Sequence, residues 1–122
     1  MIISLHHVQL AMPAGGEDQA RAFYGTLLGL TERRKPENMQ QNGGCWFEQD
    51  SVRVHLGIEE GFRPALKAHP AFMVSGFRQL REKLLDADCN LREANKIDDS
   101  ARFFVDDPFG NRIEFIDVEK SV

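Results

Sequence analysis

Four side chains in this sequence have the chemistry of metal ligands: His7, His55, His69 and Glu114. Imidazole nitrogen and carboxylate oxygen suit Zn²⁺, Mn²⁺, Fe²⁺, Co²⁺ or Ni²⁺, and a site with three protein ligands leaves positions open for substrate oxygen or water. Two histidines and one carboxylate also form the facial triad of non-haem Fe(II) oxygenases. A single histidine on a strand is more often a structural, hydrogen-bonded residue, so the assignment depends on whether the four converge.

The four candidates occupy matching positions of a pattern that occurs twice. Each half begins with a short strand, IISLHHVQLAM or HPAFMVS, followed by a helix with apolar residues at helical spacing. Three further strands then follow in each half, separated by turn residues such as NGG and DDPFGN. When the halves are aligned, His7 lies over His69 and His55 lies over Glu114, which indicates a duplicated β-α-β-β-β unit.

Strand alternation indicates where the candidates point. On the strand RVHLGI, Val54 and Leu56 share one face and His55 takes the other, so each candidate faces away from its helix. The two uncovered faces would then line a cup. The predicted fold is α+β, with two βαβββ modules forming a cupped sheet. The domain limits are a single domain 1–122, a first module 1–60, a linker 61–66 and a second module 67–119.

Composition limits the classes of function. A chain of 122 residues with 42% hydrophobic content fits one domain, and its formal net charge of -4, with scattered Lys and Arg, argues against nucleic acid as a partner. The N-terminal apolar run has no basic region before it and is interrupted by His6, His7 and Gln9, so we expect no membrane association and a cytoplasmic location. Cys45 and Cys89 are expected to be reduced, packed thiols. A small molecule is the expected partner.

Several polar and aromatic residues are expected around the cup. Arg53 and Arg112 share strand faces with two of the ligand candidates, and Arg102 begins the strand before DPFGN. A cationic rim would suit an anionic or enolate-forming substrate, although an arginine beside a carboxylate can also simply neutralise it. Trp46 is expected to wall the pocket, with plain core packing as the alternative. Pro70 lacks an N–H, so its strand should start at a sheet edge or irregularly.

Three segments together resemble the vicinal-oxygen-chelate superfamily: HHVQLAMP with the following FYGTLLGL, HPAFMV, and DPFGNRIEF. This superfamily includes glyoxalase I, fosfomycin-resistance thiol transferases, extradiol dioxygenases, methylmalonyl-CoA epimerase and bleomycin-binding proteins. The resemblance covers nearly the whole chain and implies that His7, His69 and Glu114 bind a divalent metal. In glyoxalase-I-like members a further glutamate ligand occupies the position that is His55 here, so His55 is an expected fourth ligand or base.

The resemblance implies two alternative functions. The first is a metalloenzyme of isomerase, lyase, thiol transferase or dioxygenase type, in which the metal polarises a carbonyl or stabilises an enolate and Glu114 or His55 serves as catalytic base. The second is a metal-free module that binds a drug-like molecule, as the bleomycin-resistance members do. The resemblance also implies a homodimer, with the cup formed within one chain or across two.

Overall fold

The computed structural model describes residues 1–121, so Val122, the end of the predicted domain, lies outside the described part. The chain forms two compact units, one from Met1 to Pro64 and the other from Ala65 onward. The division falls within the predicted linker 61–66. Each unit contains one four-stranded sheet with a helix after its first strand.

The first unit has the strand order β1-β4-β3-β2, with β1 parallel to β4 and the other pairs antiparallel. Its strands are β1 (Val8–Met12), β2 (Thr31–Arg33), β3 (Cys45–Gln49) and β4 (Val52–Ile58). Helix α1 connects β1 to β2, with Glu17–Ala20 in α form and Arg21–Leu27 in π form, and a short helix α2 (Glu37–Gln40) precedes β3.

The second unit repeats this topology with the order β5-β8-β7-β6, and β5 is parallel to β8. Its elements are β5 (Ala71–Val74), α3 (Phe77–Asp86), β6 (Leu91–Ile97), β7 (Ser100–Asp106) and β8 (Arg112–Asp117). Because both units have the same element order and sheet order, the predicted α+β fold of two βαβββ modules is confirmed. The edge position of β5 is also confirmed, since Pro70 supplies only its carbonyl, to the N–H of Glu114 at 3.0 Å.

Three local predictions need correction. The first strand was expected from Ile2, but it begins at Val8, where pairing with Val54 of β4 begins. The first helix continues in π form beyond Ala20, and the N–H of Leu28 donates to the carbonyl of Phe23, five residues earlier. Helix α2 was not predicted, because four residues are too few to show a helical period.

The strand alternation of each unit places one face against its helix. The buried apolar side chains of the first unit include Met12, Phe23, Tyr24, Cys45, Phe47, Val54 and Leu56, and those of the second include Leu84, Phe103, Val105, Ile113 and Phe115. Tyr24 of α1 packs on Phe47 of β3, with ring centroids 5.7 Å apart. Cys45 and Cys89 are both free thiols. Among the helices of residues 1–121, none is long and apolar enough to cross a membrane.

The segment DPFGN forms the turn that sets the start of β8. One oxygen of the Asp107 carboxylate, Oδ1, accepts from the backbone N–H of Phe109 at 2.9 Å and from that of Asn111 at 2.8 Å. The side-chain amide of Asn111 donates to the other Asp107 oxygen, Oδ2, at 2.9 Å. Gly110 has a φ of +93°, a conformation that favours glycine. The motif therefore fixes the register that pairs Glu114 with Phe104.

Candidate functional site

Strand pairing gives each unit a row of four cross-strand neighbours. In the first unit the row is Gln9, His55, Trp46 and Arg33. In the second unit the row is Ala71, Glu114, Phe104 and Arg92. His55 and Glu114 thus occupy the same position, and His7 and His69 each lie two residues before the first member of a row, as the sequence alignment predicted.

In the second unit, His69 and Glu114 contact each other directly. The Nδ1 of His69 lies 2.7 Å from the carbonyl oxygen of Lys67, and its Nε2 lies 2.9 Å from Oε1 of Glu114. Arg102 donates from Nη1 to the other carboxylate oxygen of Glu114 at 3.3 Å and from Nε to the carbonyl of Asn95 at 2.6 Å. Glu114 is only 5% exposed, whereas 24% of the His69 side chain is exposed, so this contact is partly buried.

The hydrogen bonding of His69 fits a metal ligand. Because the carbonyl of Lys67 can only accept, Nδ1 carries a proton, and metal-bound histidines usually donate their second ring N–H in this way. In a neutral ring, Nε2 then directs a lone pair at Oε1 of Glu114, and two acceptors 2.9 Å apart need a proton or a cation between them. A divalent ion held by both side chains would satisfy these two acceptors. The His69–Glu114 pair therefore fits two adjacent ligands of one divalent ion.

The predicted arginines of the second unit surround Phe104. The guanidinium carbons of Arg102 and Arg112 lie 5.3 and 5.4 Å from the centroid of the Phe104 ring, within range of a cation–π interaction. The ring of His69 meets Phe104 edge-on at 5.2 Å. Arg102 thus both contacts Glu114 and lies over the aromatic residue beside it.

In the first unit, three rings are stacked. His55 is parallel to Trp46, with centroids 4.0 Å apart, and its ring is 4.2 Å from that of His7. His55 is only 6% exposed. Burial, together with the neighbouring His7, lowers the pKa of His55 to about 4. His55 is therefore neutral at physiological pH and has aromatic neighbours on both ring faces.

A cavity of about 650 Å³ lies on this face of the first unit, within the size range of small-molecule sites. Its lining includes the whole row Gln9, His55, Trp46 and Arg33 and, from the next row, Glu48 and Arg53. Arg33 and Arg53 each donate to one oxygen of Glu48 at 2.9 Å. Trp46 and Arg53 were predicted to contact substrate, and both line this cavity.

The structure brings the predicted site residues together as two groups. His7, His55, Trp46 and Arg53 line the cavity of the first unit, whereas His69, Glu114, Arg102 and Arg112 cluster in the second. Over residues 1–121, no three His, Cys, Asp or Glu side chains are grouped so as to hold a metal ion. The metal-ligand set therefore stays a prediction.

Sequence reasoning missed the segment Arg33-Arg34-Lys35 and the amide of Gln9, all of which line the cavity. The run of three cations in LTERRK was a visible signal, but only the pairing of Arg33 with Trp46 shows that it borders the same face. Gln9 was visible through strand alternation, since it shares a face with His7.

The comparisons with known proteins agree with this fold. The sequence model of the Glyoxalase/Bleomycin resistance protein/Dioxygenase superfamily matches residues 4–115. The chain belongs to this superfamily. No functionally curated protein matches the sequence significantly.

Several solved structures share this fold. A structure described as a glyoxalase family protein from Bacillus anthracis is 42% identical, with a TM-score of 0.92 and coverage of 98% of each chain. A glyoxalase/dioxygenase from Nostoc punctiforme is 20% identical, with a TM-score of 0.79 and coverage of 96% of this chain and 92% of that one. A fosfomycin resistance protein from Listeria monocytogenes is 13% identical, with a TM-score of 0.77 over 98% of this chain and 96% of that one. The last two likenesses concern the fold alone.

Proposed function

We propose that this superfamily member is a divalent-metal-dependent enzyme acting on a small, oxygen-chelating substrate. The observation that carries the proposal is the His69–Glu114 pair, in which Nε2 and Oε1 lie 2.9 Å apart while the other ring nitrogen donates to a backbone carbonyl. This arrangement supports adjacent metal ligation better than a solvated surface ion pair, because Glu114 is buried.

The proposed ligands are His7, His69 and Glu114. The pattern of the superfamily supports His7, and its Nδ1 lies 2.9 Å from Nδ1 of His6, which leaves Nε2 for a metal. The stacking of His55 between Trp46 and His7 supports a positioning role for that ring rather than ligation. A bound divalent metal would polarise a carbonyl or stabilise an enolate oxygen of the substrate.

The neighbouring residues divide the remaining roles. Arg102 holds Oε2 of Glu114, which fixes the carboxylate and directs Oε1 towards His69. Glu114 is the proposed base as well, since carboxylate oxygen can take a proton from a carbon beside a carbonyl. Arg112 and Arg53 supply positive charge for an anionic substrate or an enolate.

The second candidate is a metal-free module that binds a small molecule. The cavity of the first unit favours this function, because its aromatic and cationic lining could hold a ligand without a metal. Under this alternative, chelated protein would bind an aromatic ligand as tightly as metal-loaded protein and would catalyse no reaction.

Elemental analysis of untagged protein tests the proposal. We expect about one divalent ion per chain, and its loss from folded His7→Ala, His69→Ala and Glu114→Ala variants, each checked by circular dichroism. Glu82→Ala, at an exposed position of α3, is the control and should retain the ion. Absence of a bound ion from the wild type, even after reconstitution with each candidate metal, would exclude the metalloenzyme. A loaded protein would next be assayed for epimerase, thiol-transfer and dioxygenase activity.

We also propose a homodimer and a cytoplasmic location. Met1, Ile2, Ile3 and Leu5 are all highly exposed apolar side chains in the single chain, which supports a protein partner for this segment. Free Cys45 and Cys89 are consistent with a reducing compartment. Light scattering coupled to gel filtration would give the oligomeric state, and a particle of monomer mass at micromolar concentration would contradict the dimer.

A further inference from the structure

The cavity of the first unit has a charge opposite to that of the protein. The whole chain carries a formal charge of -4. Four cationic side chains nevertheless line the cavity, namely Arg33, Arg34, Lys35 and Arg53, against the single acid Glu48. A concave surface with this excess of positive charge attracts anions.

Three of the four cations already have partners. Arg33 and Arg53 share the two oxygens of Glu48, and the Lys35 ammonium donates to the carbonyl of Gly43. Within residues 1–121, the guanidinium of Arg34 has no hydrogen-bond or ion-pair partner. Arg34 is therefore the cation of this cavity that is available to a ligand, and a planar guanidinium binds carboxylate or phosphorus oxyanions through two parallel hydrogen bonds.

The rest of the lining combines a polar and an apolar part. The amide of Gln9 also has no hydrogen-bond partner in the described part of the chain. It lies over Gly57, where an added Cβ would come within 2.2 Å of its Nε2, so the glycine leaves room for it. Trp46, Met39 and Ile58 supply apolar surface, and the latter two side chains are 40% and 38% exposed.

We propose that this cavity binds a small organic anion, with Arg34 on its oxyanion group, Gln9 on a neutral polar group and Trp46, Met39 and Ile58 on its apolar part. The identification of this ligand as the substrate rests on the proposed function, but the binding itself does not require a metal. A carboxylate and a phosphorus oxyanion both offer the negatively charged oxygens that Arg34 would bind.

Trp46 is the only tryptophan of the chain and lines the cavity, so its fluorescence reports ligand binding directly. The titration would use benzoate and phenylphosphonate as anionic probes and benzyl alcohol as the neutral probe, all in the presence of a chelator. We expect saturable binding of at least one anion, weakened by added salt, and much weaker binding of benzyl alcohol. Comparing the two anions distinguishes carboxylate from phosphorus oxyanion.

The decisive variant is Arg34→Gln, and Arg78→Gln on the exposed start of α3 in the second unit is its matched control. Arg34→Gln should weaken binding of the anion by about tenfold or more, because it removes a charge-assisted contact, whereas Arg78→Gln should leave it unchanged. Equal affinity for the neutral and anionic probes, no saturable binding, or an unchanged affinity in Arg34→Gln would overturn the proposal.

Metal content separates this inference from the proposed function. Anion binding in chelated protein that never retains a metal would support the cavity and contradict the metalloenzyme. Stoichiometric metal in a protein that binds neither anion would support the metalloenzyme and contradict the anion site.

Discussion

In the first unit, the residue at the second position of the cross-strand row is His55, which lies between the rings of Trp46 and His7. At the same position of the second unit, Glu114 accepts from Arg102 and faces His69. The same backbone register thus supports a stack of aromatic rings in one unit and a cluster of charged side chains in the other. The comparison shows that a duplicated sheet fixes where side chains meet and leaves their chemistry to the residue types.

A neighbouring substitution explains much of the difference. Arg102 lies two residues before Phe104, and the matching position before Trp46 is Gly44. An added Cβ at Gly44 would be 2.2 Å from the carbonyl oxygen of Leu56, and its φ is +85°, so no arginine is accommodated there. The first unit consequently has no cation at the position from which Arg102 reaches Glu114.

The largest expected difference between the units concerns their cores. Phe103 is the equivalent of Cys45, one residue before the aromatic member of each row, and both are almost fully buried. Phe103→Ala should lower the free energy of unfolding by about 3 to 5 kcal/mol, because it removes a ring packed on Phe77 and Phe115. Cys45→Ala should lower it by only about 1 kcal/mol. Urea denaturation measures both changes, and equal losses would contradict the larger contribution of the Phe103 ring to its core.

A smaller effect should distinguish the ring stack by pH. Burial and His7 lower the pKa of His55 from its usual 6.5 to about 4 in the folded protein, so between these values the unfolded chain binds a proton that the folded chain does not. Stability should therefore fall as the pH decreases through this window, by about 2 to 3 kcal/mol at pH 4.5.

Urea denaturation at pH 7 and pH 4.5, with a chelator present, would measure this loss. Between these two pH values the His55→Gln variant should lose less stability than the wild type, and the difference should be about 2 to 3 kcal/mol. An identical loss in both proteins would show that His55 is not the titrating group.

The smallest expected difference concerns a repeated ion pair. Arg33 pairs with Glu48 through one contact at 2.9 Å, whereas Arg92 at the matching position binds Asp106 through two contacts, at 2.8 and 3.0 Å. Both pairs are partly exposed, so Arg92→Ala should reduce the free energy of unfolding by about 1 kcal/mol or less. Arg33→Ala should give a smaller change. A larger effect from Arg33 would indicate that this pair is more strongly coupled to the ring stack than its exposure implies.

Much of the fold could be predicted from the sequence because it depends on short-range periodicity. Alternation in RVHLGI and RIEFID predicted which face His55 and Glu114 take, and DPFGN predicted the turn before β8. The alignment of His7 on His69 followed from the same repeat. The π form of α1 could not be predicted in this way, because the positions of Phe23 and Tyr24 are compatible with both an α-helix and a π-helix.

The contacts of the site required the pairing of strands that are distant in sequence. Nothing local to LTERRK shows that Arg33 adjoins Trp46, which is 13 positions later and on another strand. In the same way, the stacking of His55 on Trp46 depends on the pairing of β3 with β4. The candidate ligands could be predicted from the sequence. Only the strand register shows that His55 stacks on Trp46 whereas Glu114 faces His69.

In the proposed metal site, the second unit supplies His69 and Glu114, whereas His55, at the matching position of the first unit, does not bind the metal. The most direct measurement is the metal stoichiometry, by elemental analysis, of two folded variants at equivalent positions, Glu114→Gln and His55→Gln, beside the wild type. We predict that Glu114→Gln loses the ion and that His55→Gln retains about one ion per chain. Retention of the ion by Glu114→Gln, or its loss from His55→Gln, would contradict these ligand assignments.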